Sequence, residues 1–145
     1  MMQKETIIIY TDGGSRSNPG PAAIGVWSPQ LDIAVGEYIG KATNNEAEYR
    51  AIIAALSYAK KKLGKGNAKE AQIEIRSDSQ LIVEQLNGNY KVKEETLFKW
   101  FVEVWNRMQE FASVTMVHIP REKNKEADRL VNEALDVNKE KATLL

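Results

Sequence analysis

Four acidic residues stand where an acid is either a turn residue or a chemical tool: Asp12, Glu48, Asp78 and Asp128. Asp12 and Asp78 each end a strand-forming run, on the side where the chain leaves for a loop or a helix. That edge is where open α/β sheets build their sites, although aspartate is also an ordinary turn and cap residue. Glu48 lies four residues before Ile52, seven before Ala55 and eleven before Ala59, on the helix face that should be buried. A carboxylate there is expensive unless something positive sits beside it. Asp128 repeats the pattern three residues before Val131 in the last helix, with a favourable helix-dipole interaction as the competing explanation. Gathered in one crevice, four carboxylates would repel one another, so a cluster implies cations. Oxygen-only, histidine-free ligation favours Mg²⁺, with Mn²⁺ as a substitute, over zinc. Two such ions ~4 Å apart would activate a water and stabilise the leaving oxygen of an in-line phosphoryl displacement.

The elements that must carry these acids are short and punctuated, with no repeat, linker or low-complexity tract. Thr6 to Thr11 is a nearly continuous β-branched and aromatic run that stops at Asp12-Gly13-Gly14, as expected of a buried strand. Ala22 to Trp27 and Ile33 to Ile39 read as two further strands joined through Ser28-Pro29-Gln30, giving an antiparallel meander. From Thr43 to Leu63 the spacing turns helical, with Ala47, Ala51, Ile52, Ala55 and Ala59 on one stripe. Thr43 and Glu46 fit a capping box, which gives Glu46 a structural job that Glu48 lacks. Gln72 to Ser77 alternates and ends at Asp78; Ser79 to Leu86 fits a short helix closed by Asn87-Gly88. Leu97 to Phe111 is helical through Phe101, Val104, Trp105 and Met108, and Val114 to Ile119 is the last strand. Asn124 is expected to cap a final helix through Ala127, Leu130, Val131, Ala134 and Leu135. The order βββαβααβα places strands four and five parallel to strand one, in an α/β fold with helices on both faces of a five-stranded mixed sheet.

The 145 residues suffice for one domain with one core, over 1–145, with residues 138–145 expected as a flexible tail. The absence of cysteine excludes disulfides, thiolate zinc sites and thiol catalysis, and no apolar run approaches the ~20 residues of a membrane span. The N-terminal residues lack a signal-peptide layout, so a cytoplasmic protein with no membrane partner is expected. Twenty basic residues balance twenty acidic ones, which argues against nucleic-acid binding by bulk basicity. Two divalent cations on the four acids would change that balance to about +4.

Taken in order, Tyr10-Thr11-Asp12-Gly13-Gly14-Ser15 with Asn18-Pro19-Gly20-Pro21, Thr43-Asn44-Asn45-Glu46-Ala47-Glu48, Ser77-Asp78-Ser79-Gln80 and Asn124-Lys125-Glu126-Ala127-Asp128 resemble the motifs of type 1 ribonuclease H, from about residue 6 to about residue 135. The resemblance implies the ribonuclease H-like fold and a two-metal endonuclease that cuts the RNA strand of RNA–DNA hybrids to leave 5′-phosphate and 3′-hydroxyl ends. It places Asp12, Glu48, Asp78 and Asp128 in the metal site. It also assigns Asn18, Asn45 and Gln80 to the RNA minor groove, where amides can pair with 2′-hydroxyls. Asn44 would assist them, and Thr43 matches a phosphate-contacting position on the DNA strand.

Two departures from the better-known bacterial pattern stand out. That pattern carries a histidine in the loop before the last aspartate, whereas this chain has Pro120-Arg121-Glu122-Lys123-Asn124. The one histidine, His118, reads as an ordinary strand residue, and Arg121 is similar to the residue of archaeal-type relatives. An arginine stays protonated, so it would bind the scissile phosphate or ease product departure rather than act as a base. The second departure is the missing Lys/Arg-rich handle, making this a short form of the family. In its place stand Tyr90, Lys91 and Lys93, which could touch the DNA backbone, while Trp105 reads as core and Lys60-Lys61-Lys62 as a complement to the helix dipole. Weaker, more salt-sensitive hybrid binding follows. The alternatives are a nuclease that also cleaves double-stranded RNA and a non-catalytic nucleic-acid-binding module of the same fold. A monomer is expected.

Overall fold

The computed structural model describes residues 5–144. Five strands form one mixed sheet: β1 (Ile7–Ser15), β2 (Gly20–Ser28), β3 (Ile33–Ala42), β4 (Gln72–Ser77) and β5 (Ser113–His118), in the spatial order β3-β2-β1-β4-β5. β1 pairs antiparallel with β2, β2 antiparallel with β3, and β4 lies parallel to both β1 and β5. The helices are α1 (Asn44–Leu63), α2 (Lys65–Glu70), α3 (Gln80–Leu86), α4 (Phe98–Met108) and α5 (Lys125–Leu144). The meander, the parallel crossovers and the mixed sheet are therefore as the sequence predicts.

The main core lies between the sheet and α1, α3 and α4, where Ile9, Val26, Ile73 and Ile75 meet Tyr49, Ile52, Leu56, Ile82, Val83 and Val104. A smaller cluster of Ala23, Val131 and Leu135 seats α5 against β2. Glycines set both approaches. A Cβ on Gly13 would lie 2.3 Å from the Ala47 carbonyl carbon of α1. One on Gly25 would lie 2.3 Å from the Ala127 carbonyl oxygen of α5.

β1 has two partners for only part of its length. Its pairs with β4 run from Ile7↔Ile73 to Thr11↔Ser77, whereas its pairs with β2 run from Tyr10↔Trp27 to Ser15↔Ala22. Asp12 is therefore not the end of a strand, as its turn-like surroundings suggest. It is the first residue past the fork where β1 keeps β2 and loses β4. The Asp-Gly-Gly sequence reads as a break because glycine has low strand propensity, but here the glycines are needed for helix approach.

Four further differences have local causes. Gly64, with φ 83°, admits the short helix α2 that the spacing did not reveal. The Asn124 side chain does not cap α5; its amide donates instead to the Thr11 carbonyl across the fork, at 2.9 Å. Trp105 is 54% exposed rather than core. α4 buries Val104 and packs Trp100, Phe101 and Met108 on the core, which turns Phe98, Val102 and Trp105 outward. Finally, α5 continues to Leu144, so the expected tail is helical over its described residues, with Leu145 outside them.

Candidate active site

Asp12 enters the site from β1 just past the fork, and Asp78 follows β4 at the same sheet edge. Glu48 comes from the first turns of α1, whose start is fixed by the capping box: Thr43 Oγ1 accepts from the Glu46 amide at 3.1 Å, and Glu46 Oε1 from the Thr43 amide at 3.2 Å. Oxygens of Asp12, Glu48 and Asp78 all lie within 4.8 Å of one another. Asp128, from the first turn of α5, stands outside that trio but within interaction range of Asp12. It lines the same cleft, together with Asn44, Asn45, Ser79, Arg121 and Asn132.

The carboxylates are held in place and crowded. Glu48 is 7% exposed and Asp12 9%. Glu48 Oε1 accepts from the Gly13 amide at 2.5 Å, and its other oxygen accepts from the Ser77 hydroxyl at 3.4 Å. Burial, then the charge of Asp78, raises the Asp12 carboxyl from 3.8 to about 7, against a lowering hydrogen bond with Glu48. Burial, then Asp12, likewise pushes Glu48 well above the usual carboxylate range. Protons or a cation must relieve this crowding, and the donors are all hard oxygens. The cluster therefore fits a divalent cation.

The remaining predicted residues divide into four places. Asn18, Thr43, Asn44 and Asn45 gather at the start of α1. Asn18 Oδ1 accepts from the Asn44 amide at 2.9 Å, Asn44 Oδ1 accepts from the Ser15 amide at 2.8 Å, and Asn45 Nδ2 donates to Glu94 at 2.9 Å. Gln80 is exposed at the first position of α3, and Arg121 sits in a short turn beside the acids. Tyr90, Lys91 and Lys93 line a separate groove of ≈ 580 Å³ with Leu81, Gln85 and Glu94. His118 ends β5 in register with Ser77 and is exposed, as an ordinary strand residue can be.

Sequence reasoning missed several participants. Ser77 and the Gly13 amide hold Glu48, and the only sequence signal was their adjacency to the two aspartates. Arg16 and Asn132 also line the cleft, and Arg16 donates to the Asn132 carbonyl at 3.5 Å and pairs with Asp136 at 2.7 Å. Nothing in their spacing announced this. A second chain of contacts was equally hidden: buried Tyr49 donates to Gln85 Oε1 at 2.7 Å, and Gln85 Nε2 donates to the Lys91 carbonyl at 3.3 Å. It ties the loop of Tyr90, Lys91 and Lys93 to α1 and α3.

Acid residues at a sheet fork, flanked by polar helix starts, give this α/β fold a candidate metal centre. Comparison with known proteins narrows this. The family described as reverse transcriptase-like matches residues 11–134. The chain is 44% identical over 135 residues to the bifunctional protein Rv2228c of Mycobacterium tuberculosis, covering 90% of this chain and 35% of that protein. It is 41% identical over 131 residues to ribonuclease HI of Halobacterium salinarum, covering 88% and 63% respectively. The chain thus spans well under two thirds of the length of the first relative and slightly under two thirds of the second. The crystal structure of LC11-RNase H1 in complex with an RNA/DNA hybrid superposes with a TM-score of 0.84 at 47% identity, covering 91% of this chain and 98% of that one. The chain belongs to the type 1 ribonuclease H family.

No described helix is long and apolar enough to cross a membrane.

Proposed function

We propose that this chain is a metal-dependent endonuclease that hydrolyses the RNA strand of RNA–DNA hybrids, leaving 5′-phosphate and 3′-hydroxyl ends. The observation that carries the reading is the convergence of Asp12, Glu48 and Asp78 within 4.8 Å, with Asp128 in the same cleft. The hybrid bound to the similar LC11-RNase H1 supports the choice of substrate. Asp12, Glu48, Asp78 and Asp128 would hold two Mg²⁺ ions, with Mn²⁺ as a substitute. Such ions, when bound, supply charge neutralisation at the scissile phosphate and Lewis acidity toward the attacking water.

The protein's own groups bind and orient the substrate. Asn45 has its amide N–H turned to Glu94, which leaves Oδ1 as an acceptor for a 2′-hydroxyl. Asn18, Asn44 and Gln80 present further amide groups to the RNA minor groove. Thr43, whose hydroxyl accepts from the helix amide, can still donate its own proton to a phosphate oxygen of the DNA strand. Arg121 stays protonated and would contact the scissile phosphate or assist departure of the cut strand. Tyr90, Lys91 and Lys93 would grip the DNA backbone from the second groove. The enzyme would act as a monomer in the cytoplasm.

The test is digestion of an end-labelled hybrid with Mg²⁺, with chelator, and with Asp12→Asn and Asp78→Asn, alongside double-stranded RNA and DNA duplexes. Internal cuts in the hybrid RNA that need the metal and both aspartates are expected. Persistent cutting by a folded Asp78→Asn protein would overturn the site. Hybrid binding without cleavage by the wild type would make the chain a binding module, and equal cleavage of double-stranded RNA would broaden the substrate class.

A further inference from the structure

Asn124 links the elements that bring the acids together. It is 1% exposed and lies between the turn Arg121–Lys123 and α5. Its side-chain nitrogen donates to the Thr11 carbonyl at 2.9 Å and to Asp78 Oδ2 at 3.4 Å. Its main-chain carbonyl accepts from the Asp128 amide at 3.1 Å, and its main-chain amide donates to the Arg121 carbonyl at 3.0 Å. One buried residue therefore touches the peptide before Asp12, the carboxylate of Asp78, the amide of Asp128 and the carbonyl of Arg121.

The sheet explains why an amide is needed there. Thr11↔Ser77 is the last β1–β4 pair, and beyond it the Ser79 amide turns back to donate to the Ser77 hydroxyl at 3.1 Å. The Thr11 carbonyl, on a residue only 1% exposed, stands at the last rung of that ladder, where an N–H from across the fork can reach it. Asn124 supplies that N–H and has a second for Asp78. An alanine or leucine would supply neither donor. An aspartate would add a charge to the crowd.

We propose that Asn124 is a positioning residue of the candidate metal centre: through Thr11 and Asp78 it fixes the distance between the β1–β4 fork and the start of α5, and so tunes cation affinity. The inference rests on the metal-site reading under Proposed function. Hydrogen-bonding partners one step out from the ligands characteristically set metal affinity by 10–100-fold, which gives the size of effect to expect.

The experiment is a titration of Mn²⁺ alone, without substrate, into metal-free wild type, Asp78→Asn, Asn124→Ala, Asn124→Leu and the Asp78→Asn/Asn124→Ala double variant. Free Mn²⁺ is followed by electron paramagnetic resonance, and circular dichroism melts monitor the fold. The wild type should bind, and Asp78→Asn should bind more weakly. Both Asn124 variants should lose about 10–100-fold in affinity while still melting cooperatively. Asn124→Leu, which keeps the volume, guards against collapse of a cavity. The double variant should lose less than the two single losses combined, because part of the action of Asn124 runs through the Asp78 carboxylate. A wild type that ignores Mn²⁺ would remove the metal reading and this inference with it. Unchanged affinity in a folded Asn124 variant, beside a wild type that binds, would overturn this inference alone. Full additivity in the double variant, or loss of the fold in both Asn124 variants, would also overturn it by assigning Asn124 a purely structural role.

Discussion

The carboxyl groups of Asp12 and Glu48 are raised by burial first and by neighbouring acids second, and that order fixes how the metal-free protein responds to pH. A folded Asp12 that titrates near 7, against 3.8 for the free side chain, binds a proton more tightly than the unfolded chain does. Its contribution is present below the unfolded value and lost as pH rises through the folded one. In chelator, the melting temperature should therefore fall by several degrees between about pH 4 and pH 7. Divalent cation should remove most of that fall, because a cation replaces the protons. Scanning calorimetry across this range, with and without Mn²⁺, checks it; a metal-free melting temperature that climbs steadily to pH 7 would contradict the buried, crowded cluster. At the same scale, Asp12→Asn or Asp78→Asn should lower the cleavage rate by at least about 10²–10³-fold, as loss of a key electrostatic group typically does. Single-turnover cleavage of a labelled hybrid measures this. The four acids were legible in the sequence because each sits at an element boundary or on an apolar face, where a charge needs a reason. What holds them was not legible. The Gly13 amide and the Ser77 hydroxyl belong to residue types that occur everywhere, and only the folded register brings them to Glu48.

At the level of elements, two helices approach the sheet over bare glycine surfaces. Gly13 lets α1 come down on β1, which permits the 2.5 Å contact between its own amide and Glu48. Gly25 is the register partner of Asp12 and admits the Ala127 carbonyl, one residue before Asp128. Gly25→Ala should therefore push the start of α5 away from β2. The expected result is about 1–3 kcal/mol of lost stability, from overpacking, together with weakened Mn²⁺ binding despite intact acids. Denaturant melts and a Mn²⁺ titration read the two effects separately, and lost stability with unchanged metal affinity would show that α5 does not carry its acid into the site. Strand and helix identities followed well from period and capping, since Thr43 and Ser79 mark their helix starts by side chains that accept from amides three residues on. The extension of β1 through Gly13 and Gly14, and the cross-fork bond of Asn124, did not follow. Local propensity reads glycine as a break and asparagine as a cap, and both readings are overridden by what lies across the fold.

For the whole molecule, charge is the governing quantity. The formal balance of twenty against twenty is that of the chain without cations, and two divalent ions would carry it to about +4. In the proposed function, grip on the DNA strand would fall to the loop of Tyr90, Lys91 and Lys93, which the Tyr49–Gln85–Lys91 contacts hold. Hybrid affinity should accordingly drop steeply with salt, and Lys91→Ala or Lys93→Ala should each reduce the log–log slope by about one. Fluorescence anisotropy of a labelled hybrid with a non-cleaving Asp78→Asn protein gives the slope. Affinity that stays flat as salt rises would remove electrostatic binding from the account. Tyr49→Phe should weaken binding with little effect on the cleavage step, because it frees the loop and leaves the acids alone. The basic-aromatic segment was readable in the sequence, but its tether was not, since Tyr49 and Gln85 lie 36 positions apart.

The fork in β1 has one more consequence. A strand that loses a neighbour ordinarily offers its free edge to any extended chain, and such edges invite strand addition and aggregation. Here the edge is already spoken for by side chains: the Thr11 carbonyl by Asn124, the Gly13 amide by Glu48 and the Ser15 amide by Asn44. An incoming peptide would find none of these three groups open to it. Side chains that serve the cleft thus also blunt this edge of the sheet against strand addition.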